Sequence, residues 1–543
     1  MSPGRILLHG GDLVDGTGAE RRRADVWVED GRISAVTEVR PDIASDTASG
    51  TDAHRLDVSE SVVFPGFIDV HAHDDLALLR PGGVEPKVMQ GVTVDVVGNC
   101  GHGCAPVATD PRMQASYSGP VLGRFPETLP WQSFPEYLDQ LSTTGLRTNA
   151  VALVPHGALR ASITGYARRP LDTRELARAT RDLDEALARG AAGLSLGLMY
   201  APGDVADQAE LVALARVVAA HDGILAAHIR SEGDDIIGSL RELLDIARRS
   251  EVRVQLSHLK VVSPRNRGRM PEILALLDAA RSEGIDITAD VYPYPAGSTT
   301  AAALFPGWTL SDGVPGLLAS LETPAERARI ITSMYQPWQQ KENNFQALGA
   351  HGILLAGFQQ PDNASYEGAR LSEVAEKRGI DAAECLCQLM TEERGELTVV
   401  MFQMHEDDVA TALSWPWSLI GSDGLPVQSP YTHPRMYGTF ARVLSEYVRK
   451  RGLLTLEEAT RRMTALPAER FRIPGRGVIR AGAAADLVVA SPERIEDHAT
   501  FAAPRHFPKH VRAVLVNGEF ATLDGIATEN TAGALLPIER STI

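Results

Sequence analysis

Short apolar runs alternate with stretches of helical periodicity through the middle of the chain. Eight runs stand out: Val63–Val70, Val92–Val97, Asn149–Val154, Gly193–Leu198, Ile224–Ile229, Val252–Leu256, Ile285–Ala289 and Ser418–Ile420. Each is nearly continuous in apolar residues, the pattern of strands buried on both faces of a parallel sheet. Between them, Thr173–Ala188 sets Leu176, Thr180, Leu183 and Leu187 at helical spacing behind an Asp-Thr start. Asp207–Ala220, Ile236–Arg248 and Pro271–Ser282 repeat that theme. Eight strands with intervening helices predict an α/β fold, a (β/α)8 TIM-like barrel.

The two ends read differently. Arg5–His9, Asp25–Glu29 and Arg32–Val36 are strand-like and are broken by turns such as Asp15-Gly16 and Asp30-Gly31. Asp486–Ala490 and Val511–Val516 are similar, the second ending at Asn517-Gly518. The pattern predicts a small β-sandwich domain built from both termini, residues 1–61 plus 466–543, around a barrel over 62–465. One interval is too long for a βα connection, which takes about 2–6 residues, because about 120 separate Ala296 from Trp417. Helical pieces at Leu371–Arg378 and Ala382–Leu389, with strand-like runs at Ile353–Ala356 and Leu397–Phe402, predict an insertion over about 296–416, above the active site.

Composition narrows the class. The 543 residues, 44% apolar and 23% charged, suit one large globular domain with a satellite. A net charge of -17 argues against a nucleic-acid partner, whose phosphates need a basic face. No apolar run approaches the roughly 18 residues that span a bilayer, and Met1–Asp15 lacks the pattern of a secretory signal. Cys100, Cys104, Cys385 and Cys387 are too few and too locally spaced for a disulfide scaffold. The expectation is a cytoplasmic enzyme acting on a small molecule, with no membrane partner and with its oligomeric state left open.

Reactive side chains collect where barrel enzymes keep their chemistry, at the C-terminal ends of strands. The first run ends in His71-Ala72-His73, whose rings share one side of an extended chain and can share one ion. His228 and His258 each close a run and lie about 30 residues apart, one βα repeat, so they should stand side by side. Cys100 follows the second run and precedes a glycine, so its sulfur can reach the centre. The fourth run offers no lysine or glutamate, and a thiolate would supply the missing negative charge. Asp423 is the carboxylate at the end of the eighth run, placed to take a proton from an attacking water and return it to the leaving amine. His156 ends the third run, and His102 and Cys104 follow Cys100; loop packing is favoured for the last two, and the role of His156 stays open. Trp308, Trp415 and Trp417 are candidates for lining an apolar pocket.

At these residues the chain resembles the N-acyl-D-amino-acid deacylases (D-aminoacylases) of the amidohydrolase superfamily. The likeness is carried by Pro65–His73, Gly98-Asn99-Cys100-Gly101, Ser257–Val261, Asp290–Ser298, Ile420–Pro426 and His433-Pro434-Arg435, with further matches at Gly475–Gly477 and Ala485–Val489. Gly-Asn-Cys-Gly discriminates, since in that family the cysteine replaces the carboxylated lysine of hydantoinases and dihydroorotases. The resemblance implies one tight Zn2+ site at Cys100, His228 and His258, a weaker second site at His71 and His73, and Asp423 as acid/base. It implies that Arg435, with Lys260, Tyr292 and Ser298, holds the substrate's carboxylate, and that the substrate is an N-acyl-D-amino acid. The D preference rests on the resemblance alone. Val427–Thr432 is uncharged where relatives carry charge, which leaves the acyl group and side chain open. The alternatives are a cyclic amidase on the same barrel and, more distantly, a non-catalytic metal-binding protein.

Overall fold

The apolar runs of the middle region pair side by side in a computed structural model, which describes residues 4–39, 53–338, 342–427 and 429–540. The barrel strands are, in order, Phe67–Asp69, Val92–Val97, Asn149–Pro155, Gly193–Gly197, Ile224–His228, Arg253–Leu256, Ile287–Val291 and Ser418–Ile420. All run parallel and neighbour one another in chain order. A bridge between Ala72 and Gly424 brings strands one and eight together, and Asp423 N–H donates to the His71 carbonyl at 2.7 Å. The ring is nearly closed.

Alternate residues of these strands serve two cores. Val94 of strand two, Ile224 of strand five and Leu419 of strand eight pack in one cluster with Val151 and Leu153. Strands that are not neighbours can meet only across the barrel interior. Val92, Val97, Ala152, Leu196 and Leu225 join the larger cluster shared with the surrounding helices. Both faces are therefore dry, which is why the runs lack polar alternation. The helix Thr173–Ala188 starts where Asp172 accepts from the N–H groups of Arg174 and Glu175 at 2.9 and 2.8 Å while Glu175 accepts from Asp172 N–H. It buries Ala179, Leu183, Ala186 and Leu187.

The first apolar run is two strands, not one. Val62–Pro65 pairs antiparallel with Leu487–Ala490 and parallel with Arg5–Leu13, in the sheet made by the chain's two ends. Phe67–Asp69 belongs to the barrel. Gly66 is the break: a Cβ there would run into the Thr93 side chain, so only glycine lets the strand change sheets at that point. Among the described residues the terminal sheet has nine strands, five from the first 65 residues and four from Leu487 onward. Its hairpin between Val511–Val516 and Glu519–Leu523 turns on Asn517 and Gly518, both at positive φ, as a two-residue turn of primed type requires.

After strand seven, Gly297–Thr300, Thr398–Met401 and Ile353–Ala356 form a separate antiparallel sheet in that spatial order. It has its own core, including Phe305, Leu317, Leu355, Leu386 and Val399. The helix Glu406–Ser414 returns to the barrel, where Val409, Ala412 and Leu413 join the main core ahead of strand eight. Gln428 and residues 40–52, within segments considered above, lie outside the described residues.

Gly66→Ala should cost about 1–3 kcal/mol through overpacking, read as a lower denaturant midpoint. Thr93→Ala should return part of that loss; a strictly additive double mutant would rule out the proposed collision.

Candidate metal centre

The strand ends deliver their side chains to one buried cluster. His71 and His73 lie two and four residues past strand one, Cys100 three past strand two, and Asp423 three past strand eight. His228 is the last residue of strand five, and His258 follows strand six by two. Each is 6% exposed or less. The Cys100 sulfur lies 3.2 Å from His71 Nε2 and 3.3 Å from His258 Nε2. Asp423 Oδ1 is 3.1 Å from His73 Nε2 and 3.6 Å from His71 Nε2. The His228 and His258 rings meet edge to face at 4.4 Å.

Three overlapping groups have the size of an ion's coordination shell, with ligand atoms within 4.8 Å of one another: His71, Cys100 and His258; His71, His73 and Asp423; His228, Glu232 and His258. Cys100 thus sits nearest His71 and His258, and His228 reaches the same cluster through their common member His258. The donor set fits a divalent cation. Both ring nitrogens of His228 are buried without a hydrogen-bond partner, as is Nδ1 of His73. Burial pushes His228 and His258 well below the usual imidazole range, which keeps them in the neutral, ligating form. Burial also pushes the Cys100 thiol up, against the pull of His71, so a cation is what would secure its thiolate. Asp423 is held well below the carboxylate range although burial opposes this, because Arg435, His71 and the hydrogen bond from His73 outweigh it.

Two acidic residues to which the sequence assigned no role, Asp290 at the end of strand seven and Glu232, orient this cluster. Asp290, on strand seven, places Oδ1 3.0 Å from His71 Nδ1 and accepts from His258 N–H at 2.8 Å. It turns the His71 ring so that Nε2 faces the sulfur. Glu232 lies 2.9 Å from His258 Nδ1, 3.1 Å from Lys260 Nζ and 3.7 Å from His228 Nε2. Its sequence signal was faint, a carboxylate four residues past a strand-end histidine. Cys100, His258 and Asp423 all hold positive φ values, 55°, 36° and 50°. Such backbone is costly for residues with side chains and persists where surroundings enforce it, often at functional sites.

The loop bearing Cys100 rests on strand four. Gly101 N–H donates to Ser195 Oγ at 3.1 Å, and Ser195 Oγ donates in turn to the Gly98 carbonyl. A Cβ at Gly197 would overlap the Cys100 carbonyl.

Beneath the cluster is a fully buried ammonium. Lys87 donates to Asp69 and to Ser422 Oγ at 2.7 Å, and lies 3.1 Å from Asp74 and 3.7 Å from Asp95. Asp69 in turn accepts from His71 N–H at 3.2 Å and Ser422 N–H at 2.8 Å. One ammonium cannot keep three carboxylates ionised in a dry site, and burial pushes Asp95 up to about 8. Lys87 comes from the short helix Glu85–Val88, which no apolar pattern announces.

The expected substrate-holding residues border the same cavity. Arg435 is fully buried, with NH1 2.8 Å from Asp423 Oδ2 and NH2 donating to the Ser298 carbonyl at 3.1 Å. The contact with Asp423 is off the hydrogen-bond axis, and neither NH1 nor Nε has an aligned acceptor. Tyr292 lies against both cations, its ring centre 4.7 Å from the Arg435 guanidinium and 5.7 Å from Lys260 Nζ. Ser298 meets Arg435 through its carbonyl rather than its hydroxyl. His102 borders the cavity and packs on Tyr200 at 4.7 Å, and Cys104 is buried in the main core. His156 is bound to Glu210 at 2.8 Å, away from the cluster. None of the three tryptophans borders the cavity. Trp415 donates to Asp278, Trp417 stacks under Arg281, and Trp308 under Arg329.

Comparison with known proteins identifies the family. The Amidohydrolase family matches residues 56–308 and 352–521. The D-aminoacylase of Alcaligenes xylosoxydans xylosoxydans is 37% identical over 536 residues, 98% of each chain. The N-acyl-D-glutamate deacylase of the same organism is 36% identical over 514 residues, 94% of this chain and 92% of that one. A crystal structure of N-acyl-D-glutamate deacylase from Bordetella bronchiseptica, complexed with zinc and a phosphonate mimic of the tetrahedral intermediate, superposes with a TM-score of 0.81. It is 34% identical and covers 98% of this chain and 99% of its own.

Lys87→Met, which keeps the bulk and drops the charge, should destabilise the fold by about 3–5 kcal/mol and lower metal content in elemental analysis. Wild-type stability and metal content in that variant would remove the ammonium from this account.

Proposed function

Because the chain belongs to the amidohydrolase family, we propose that it is a zinc-dependent N-acyl-D-amino-acid deacylase, releasing a carboxylate and a free D-amino acid. The observation that carries this reading is the meeting of a thiol, four imidazoles and a carboxylate from five strand ends, with a buried arginine beside them. Linear amides are favoured over cyclic ones because strand four ends in Gly197, with no lysine to bridge metals. The same reading places the enzyme in the cytoplasm, acting on a dissolved small molecule.

Cys100, His228 and His258 would hold the principal zinc, and His71 and His73, beside Asp423, a second. When bound, zinc supplies Lewis-acid polarisation of the amide carbonyl and lowers the pKa of water from about 15.7 toward about 7. Arg435, buried beside Asp423, grips the substrate's carboxylate through its guanidinium. That grip sets the scissile amide against Asp423, converting encounter into a fixed geometry. Asp423 takes the proton of the attacking water and passes it to the departing nitrogen, which leaves as a neutral amine. His73, 3.1 Å away, holds Oδ1 in place through that exchange. Lys260 adds positive charge beside the carboxylate subsite, and the Tyr292 ring packs against both cations.

An amine-release screen of zinc-loaded protein across N-acetyl D- and L-amino acids, with hydantoin and dihydroorotate as controls, tests the reading. D substrates alone should turn over; activity confined to the cyclic amides would replace it. Asp423→Ala should lose turnover by at least about 1000-fold while retaining zinc, and a fully active variant would refute the acid/base assignment. Cys100→Ala should lose zinc, seen as substoichiometric metal in elemental analysis.

A further inference from the structure

A grip by Arg435 draws on two distant segments: the chain leaving strand seven, from Tyr292 to Ser298, and the start of the helix Arg435–Arg442. One buried imidazole joins them. His433, 1% exposed, places Nδ1 3.0 Å from the Arg435 amide and Nε2 2.9 Å from the Ala296 carbonyl, 137 residues away. An amide N–H only donates and a carbonyl only accepts, so the ring is neutral with its proton on Nε2. Pro434 has no N–H, so that of Arg435 is the first donor of the helix, and the imidazole supplies an acceptor that the helix itself cannot give. Ala296 stands two residues ahead of Ser298, whose carbonyl accepts from Arg435 NH2 at 3.1 Å. Arg435 is therefore tied twice to one short stretch of chain, through its own guanidinium and through His433. The rings of Tyr294 and Phe501 stand nearly perpendicular to the imidazole, at 5.4 and 5.1 Å, and brace it.

Taking the deacylase reading and its carboxylate grip as the basis, we infer that His433 is a positioning residue, whose imidazole sets where the Arg435 guanidinium stands relative to Ser298 and Tyr292. It acts through Arg435 rather than on the substrate, from behind the wall that Arg435, Tyr292 and Ser298 contribute to the cavity. A shift of the guanidinium by a fraction of an ångström weakens a hydrogen-bonded grip, and groups that must hold such geometry are locked by the residues behind them. The two halves of the tie can be cut separately. Asparagine at 433 keeps an acceptor at the place of Nδ1 but is too short to reach Ala296. Glutamine keeps a donor near the place of Nε2 but leaves the Arg435 amide bare. Neither change removes a charge.

The test compares kcat/KM of the zinc-loaded full chain on the N-acetyl-D-amino acid it turns over best with that on the α-carboxamide of the same compound. The two compounds differ only at the group that Arg435 grips, so their ratio reports the grip and cancels any general loss of activity. The unaltered enzyme should favour the acid by about 100-fold, the scale of charge-assisted hydrogen bonding to a carboxylate. His433→Asn and His433→Gln should each shrink that ratio by at least about tenfold, chiefly through a higher KM for the acid, with zinc content unchanged. A folded variant of either kind that loses activity equally on both compounds, or loses none, overturns the inference and leaves the deacylase reading standing. Equal hydrolysis of acid and carboxamide by the unaltered enzyme would overturn the Arg435 grip and this inference together. No hydrolysis of any N-acetyl-D-amino acid would sink the deacylase reading as well.

Discussion

A single ammonium at the seam of the barrel ties the site together. Strands one and eight come from positions some 350 residues apart, and what joins them is the set Lys87, Asp69 and Ser422, buried below the metal cluster. Asp69 is two residues from His71 and four from His73, while Ser422 adjoins Asp423. Whatever fixes the seam therefore fixes the separation between the His-X-His pair and the carboxylate at 3.1 Å. Charge buried this deeply is a poor source of net stability, but its removal from one side only is severe. Its value here is geometric, since it adds a charged tie to the Ala72–Gly424 bridge and the Asp423 N–H to His71 carbonyl bond where the last strand meets the first.

Above that seam the backbone is held in conformations that it would not choose. Cys100, His258 and Asp423 stand in the left-handed region, and each is pinned by an identifiable contact: Ser195 beneath the Cys100 loop, Asp290 on the His258 N–H, and the His71 carbonyl on the Asp423 N–H. Asp290 does double service, since the same oxygen also orients His71. Ligands and base are thus presented by strained turns over a rigid sheet, with the strain met by hydrogen bonds made inside the barrel.

What could be read in the sequence followed from where the chemistry sits. Histidine, cysteine and aspartate at the ends of apolar runs are conspicuous because the runs are dry on both faces, and parallel pairing turns run order into spatial order. Lys87 was invisible because its partners Asp69, Asp74, Asp95 and Ser422 are scattered along the chain and its own helix is four residues long. Glu232 and Asp290 gave weak signals for a related reason, since they meet the cluster through the Nδ1 atoms of His258 and His71, a relation that no spacing rule marks. The run at 63–70 looked like one strand because nothing in its hydrophobicity changes at Gly66; the change lies in which sheet takes each half. The tryptophans misled in the opposite sense, being prominent by size yet engaged with arginines and Asp278 elsewhere.

The contact between Gly197 and the Cys100 carbonyl makes two ways of building such a centre mutually exclusive. The cysteine loop occupies the volume into which any longer residue at the end of strand four would have to project. A longer side chain at Gly197 would therefore displace the very loop that presents the thiol, so the shape of strand four's end and the identity of the sulfur ligand are one structural decision rather than two.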